Sequence, residues 1–117
     1  MRYLLDTHVV VWWLIDPKQI TSKARHIISD KKQTVFLSSV SFWEMAIKQS
    51  IGRLQMPANI LSTLISEGFN LLPLTAEESL TVAYLPSHHN DPFDRLIVAQ
   101  AYLESMVPGT QDRLMRP

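Results

Sequence analysis

Tyr3-Leu4-Leu5-Asp6-Thr7-His8-Val9-Val10-Val11-Trp12-Trp13-Leu14-Ile15-Asp16-Pro17 is the stretch that decides the fold. A three-residue apolar run ending on an acid reads as a buried parallel strand whose carboxyl end delivers Asp6. From Thr7 to Ile15 the residue types pull two ways: Val9, Val10 and Val11 favour a strand, whereas Trp12, Trp13 and Leu14 suit either a helix or a strand. We read the stretch as a helix stopped by Asp16 and Pro17, so the chain opens with a β-then-α unit.

The alternation continues outward from there. Thr21 or Ser22 can cap a helix through Ile27 and Ile28 toward Asp30. Val35-Phe36-Leu37 is a second strand, and Ser41 is expected to open a helix through Glu44, Met45, Ala46 and Ile47 that ends at Gly52. Pro57 is expected to begin another helix, with Ile60, Leu61, Leu64 and Ile65 as its apolar stripe before Gly68. Phe69 to Leu74 is a third strand, placed at an edge or cut short by Pro73. Thr75 and Glu78 form a capping-box pattern for a helix to about Leu85. After a loop containing His88, His89 and Asn90, Asp91-Pro92-Phe93-Asp94 starts a strong helix, and Met106-Val107 suggests a last strand. Repeated βα units with short connections predict an α/β fold, a central parallel sheet covered by helices, with all strand carboxyl ends on one edge.

At 117 residues and 46% hydrophobic content the chain suits one core, so residues 1–117 are expected to form a single domain. There is no cysteine, which removes thiolate catalysis, zinc–thiolate sites and disulfides. The apolar run from Val9 to Ile15 is far short of the roughly 20 residues a membrane helix needs, so no signal peptide or membrane span is expected and a cytoplasmic location fits. Eleven Lys and Arg balance eleven Asp and Glu, so any nucleic-acid contact must come from local patches and not from overall charge.

The chemistry lies in the acids: Asp6 after the first strand, Glu44 in the helix after the second, Asp91 and Asp94 opening the late helix, and Asp112 near the end. Each has a structural role open to it. Asp6 can be an N-cap, Ser41-Phe42-Trp43-Glu44 matches a capping box, and Asp91-Pro92 is an N-cap followed by proline at the first helical position. In an open α/β sheet, however, strand ends and helix starts share the edge where ligands bind, so these acids can converge. Two carboxylates at about 4 Å repel by ~4 kcal/mol at an effective dielectric of about 20. A divalent cation offsets that repulsion, and hard oxygen ligands favour Mg²⁺ or Mn²⁺. Such a metal acidifies water and balances charge on phosphoryl oxygens, which suits phosphodiester hydrolysis without a protein nucleophile.

Four segments in order, Leu4-Leu5-Asp6-Thr7-His8, Ser41-Phe42-Trp43-Glu44-Met45-Ala46, Asp91-Pro92-Phe93-Asp94-Arg95-Leu96-Ile97-Val98-Ala99-Gln100-Ala101 and Thr110-Gln111-Asp112, resemble the motifs of PIN-domain ribonucleases of the VapC-like toxin group. The resemblance spans nearly the whole chain and implies a three-layer α/β/α domain with a short central parallel sheet. It implies Asp6, Glu44, Asp94 and Asp112 as catalytic acids and metal ligands, Asp91 as an auxiliary metal-site acid, and Thr7 and Thr110 as small polar supports. It further implies Mg²⁺- or Mn²⁺-dependent cleavage of RNA, a homodimer, and inhibition by a cognate antitoxin protein. Two features depart from the pattern: Pro108-Gly109 stands where apolar strand residues are usual, and the chain ends at Pro117, so the domain is expected to lack the family's final strand.

Other classes fit less well. A catalytically weakened module of the same fold, dimerising or binding an antitoxin without cutting RNA, is the alternative reading. A phosphorelay receiver needs an early acidic pair that Asp6 lacks, and a haloacid-dehalogenase-like phosphatase needs a second aspartate two positions on, where His8 stands. His88-His89 reads as loop, because adjacent extended residues point opposite ways. Trp12, Trp13 and Trp43 lie in apolar runs and read as core. Arg95 can touch phosphate or form a surface ion pair, and Lys48 and Arg53 can form a phosphate track or a solvated helix face.

Overall fold

A computed structural model describes residues 1–85 and 91–109. In chain order the elements are β1 (Arg2–Leu5), α1 (Thr7–Ile15), a 3-10 turn (Pro17–Gln19), α2 (Ser22–Ser29), β2 (Thr34–Ser38) and α3 (Ser39–Ser50). They continue with α4 (Ile60–Ser66), β3 (Asn70–Leu72), α5 (Ala76–Thr81), a second 3-10 turn (Val82–Tyr84), α6 (Pro92–Leu103) and β4 (Val107–Gly109). All four strands are parallel and lie in the order β3-β2-β1-β4.

Successive side chains on a strand point to opposite faces, and β1 uses this directly. Leu5 enters one apolar cluster with Val9, Val10, Ile20, Leu37 and Leu64, whereas Leu4 enters the other with Val40, Ile97, Ala101 and Met106. Both faces of the sheet are therefore covered, and the α/β/α layering is as the sequence implies. The valine run of α1 is helical because burial of Val9 and Val10 in the first cluster outweighs a weak local preference for strand. Gly52 (φ 75°) and Gly68 (φ 97°) take the left-handed conformation just past α3 and α4.

Three boundaries differ from expectation. Helix α3 begins at Ser39, with Ser38 as N-cap accepting from the Val40 N–H, so Ser41 lies a turn inside the helix instead of opening it. Helix α4 begins at Ile60, not Pro57, because Asn59 (φ 59°) turns left-handed immediately before it. The third strand keeps only Asn70–Leu72, at the sheet edge, as Pro73 required. Pro108, by contrast, does not prevent a strand. Among the described strands β4 is also an edge, and it pairs with β1 at Val107, Pro108 and Gly109.

The strands progress from β1 outward to β3, and then the chain returns to place β4 on the other side of β1. Such a reversal opens a crevice at the carboxyl ends of the strands on either side of it. Asp6 is the first residue beyond β1 at that place.

Candidate active site

Each of the described acids is placed by an ordinary structural device. Asp6 caps α1, its Oδ1 accepting from the Val9 N–H at 3.0 Å, while its backbone N–H donates to the Gly109 carbonyl at 2.9 Å. Asp91 caps α6, its Oδ1 accepting from Phe93 (2.8 Å) and Asp94 (3.4 Å), with Pro92 in the first turn as the sequence predicts. Asp94 lies in that same turn. Glu44 sits on α3 at only 1% exposure, with Oε2 2.8 Å from Lys48 Nζ one turn later. Burying a carboxylate is costly unless it is paired, and Lys48 pairs only one of its oxygens.

The electrostatics tie these residues together. Burial pushes the Asp94 carboxyl above the ordinary aspartate range, and the charges of Asp91, Asp6 and Glu44 push it the same way, while His8 opposes them. Asp6, Glu44, Asp91 and Asp94 are therefore neighbours in one field. Glu44 Oε1 and Asp94 Oδ1 are both buried without a hydrogen-bond partner among the described residues. Among those residues no three carboxylate or imidazole side chains stand close enough around one point to hold a metal ion by themselves. Two orphaned hard oxygens in an open, acidic crevice fit Mg²⁺ or Mn²⁺, since Mg²⁺ keeps several waters and usually takes only one or two carboxylates plus substrate phosphate.

The surrounding contacts give other side chains singled out in the sequence definite partners. Thr7 donates to Ser41 Oγ at 3.1 Å in a buried hydrogen bond that links the start of α1 to α3. Lys48 holds Glu44 and is no free phosphate track, and Arg95 donates to the Val82 carbonyl at 3.1 Å. Trp12 and Trp13 pack on the core as expected, Trp13 edge-on to Phe69. Trp43 does not: it is 55% exposed, and its ring meets Phe93, between Asp91 and Asp94, at 5.1 Å and 74°. Its valine and methionine neighbours in sequence lie on other sides of α3, which a run of letters does not reveal. Thr110, Gln111 and Asp112, and the loop residues His88, His89 and Asn90, lie outside the described residues.

Residues 3–113 match the family model of the PIN domain. Over 116 residues the chain is 31% identical to Ribonuclease VapC22 of Mycobacterium tuberculosis (strain ATCC 25618 / H37Rv), covering 97% of this chain and 88% of the relative. Its fold is similar to the crystal structure of VapBC2 from Rickettsia felis bound to a DNA fragment from their promoter. There the TM-score is 0.63 at 16% identity, covering 92% of this chain and 85% of the other. None of the described helices is long and apolar enough to cross a membrane.

Proposed function

The chain belongs to the PIN-domain family, and from that premise we propose that it is a Mg²⁺- or Mn²⁺-dependent endoribonuclease, the toxin of a toxin–antitoxin pair. The observation that carries the metal site is the pair of unpartnered buried oxygens, Glu44 Oε1 and Asp94 Oδ1, in a crevice where Asp6 and Asp91 add negative charge. Asp6, Glu44 and Asp94 are the proposed ligands and Asp91 the auxiliary acid. Asp112 joins them on its place in the fourth motif, and the chain leaves β4 at Gly109, whose carbonyl already bonds the Asp6 N–H. A cation bound there supplies an acidified water and a counter-charge for the phosphoryl oxygens. Lys48 fixes Glu44 so that Oε1 stays free, and the α1 and α6 caps fix Asp6 and Asp94. The same reading gives the protein a cognate antitoxin, a homodimeric state and a cytoplasmic location, where its RNA substrate is found.

The test is incubation with total cellular RNA, including tRNA and rRNA, in Mg²⁺ or Mn²⁺. Cleavage that EDTA stops and that Asp94→Asn lacks is expected; undiminished cleavage by Asp94→Asn would assign the activity elsewhere. Calorimetric titration with Mn²⁺ tests the metal directly. Heat should be released by the wild type and lost in Asp6→Asn, and no heat from either folded protein would remove the metal site.

A further inference from the structure

Glu44 and Asp94 stand on different helices, so their separation depends on what holds α3 against α6. Apolar packing of Val40 with Ile97 and Ala101 supplies contact but tolerates sliding. The edge-on Trp43–Phe93 contact joins the exposed side of the two helices, and the hydrogen-bonded link in the interior is Gln100, a wholly buried side chain on α6. Its Oε1 accepts from the Ser38 hydroxyl, and Ser38 Oγ in turn accepts from the Val40 N–H at 3.0 Å as the N-cap of α3. Its Nε2 donates to the Pro73 carbonyl and to Glu78 Oε1, each at 3.2 Å. Glu78 Oε1 also accepts from the Thr75 N–H at 3.0 Å, closing the capping box of α5. Oε1 and both partners of the amide nitrogen are thus accounted for, and one side chain links the start of α3, the turn after β3 and helix α5 to α6.

We propose that Gln100 is the positioning residue that sets α3 against α6 and so fixes the Glu44–Asp94 spacing, a role that rests on the metal-dependent reading of those acids. It touches neither acid. Its effect is transmitted through the Ser38 cap to α3 and through its own helix to Asp94. Buried hydrogen-bonded groups of this kind resist displacement because any shift leaves a desolvated donor or acceptor without a partner. Glu78 is suited to its part. Burial raises its carboxyl, but the hydrogen bonds from the Thr75 backbone, Gln100 and Glu104 outweigh that and hold it below the ordinary range as an acceptor.

Two substitutions of similar volume separate this role from mere space filling. Gln100→Met removes the acceptor for Ser38 together with the donors to Pro73 and Glu78, whereas Gln100→Glu loses the donors but keeps an oxygen that accepts from Ser38. Mn²⁺ affinity and kcat should fall about tenfold in Gln100→Met, the effect of losing a support of metal ligands, with KM for RNA little changed. Gln100→Glu should lose less of both. Hydrogen exchange at the Val40 amide, which needs neither metal nor RNA, should speed up in Gln100→Met and stay near the wild-type rate in Gln100→Glu. Unchanged exchange in Gln100→Met, or an equal rise in both variants, overturns the proposal. A wild type that neither binds Mn²⁺ nor cuts RNA overturns the ribonuclease reading, and the exchange result still decides whether Gln100 sets the two helices.

Discussion

At the scale of single residues, Asp94 is a candidate site acid held at a cost to the fold. Its carboxyl is pushed up first by burial and then by Asp91, Asp6 and Glu44, so the folded chain binds its proton more tightly than the unfolded chain does. Between the ordinary aspartate range and the raised one, folding takes up protons, and this contribution to stability falls as pH rises through that window. Without added metal, Asp94→Asn should therefore raise the melting temperature at neutral pH, and the gain should shrink as the pH is lowered into the window. Added Mn²⁺ should stabilise the wild type and not the variant. A lower melting temperature for metal-free Asp94→Asn would show that the charge is already balanced. The four acids were legible in the sequence, because strand ends and helix starts can be read from apolar runs and caps. The orphaned oxygens were not, since they depend on which atoms Lys48 and the caps leave free.

At the scale of elements, helix capping and the proposed metal site share residues, and substitution can separate the two roles. Asp91 caps α6 through two backbone N–H groups, a job asparagine does as well. Asp91→Ala should lower stability in urea by about 1 kcal/mol, whereas Asp91→Asn should stay within about 0.5 kcal/mol of wild type while losing charge at the site. Equal losses in both would mean that the charge, and not the cap, anchors the helix. Element boundaries were less legible than element types. In Ser38-Ser39-Val40-Ser41 three serines compete to cap α3, and the choice falls to Ser38, where the end of β2 and the contact with Gln100 put a hydroxyl in reach of Val40. At Pro57 the fixed ring suggested a helix start, but the left-handed turn of Asn59 postpones it by three residues.

For the whole molecule, the parallel sheet followed from short apolar runs separated by helical segments, and the two-sided core follows from Leu4 and Leu5 facing opposite ways. Pro108 looked like a flaw only because its place at the sheet edge is set by chain order, which no local pattern records. The Gly109 carbonyl points to β1, where it meets the Asp6 N–H, and backbone groups of neighbouring strand residues point to opposite sides. Pro108 therefore faces away from β1, at the position within the described strand Val107–Gly109 where an incoming strand would seek a hydrogen-bond donor, and proline has none. On that side the ring is expected to oppose self-association through sheet extension. Pro108→Val should leave the fold intact yet raise light scattering during concentration or refolding, and scattering equal to wild type would mean that some other part of the chain already shields this border.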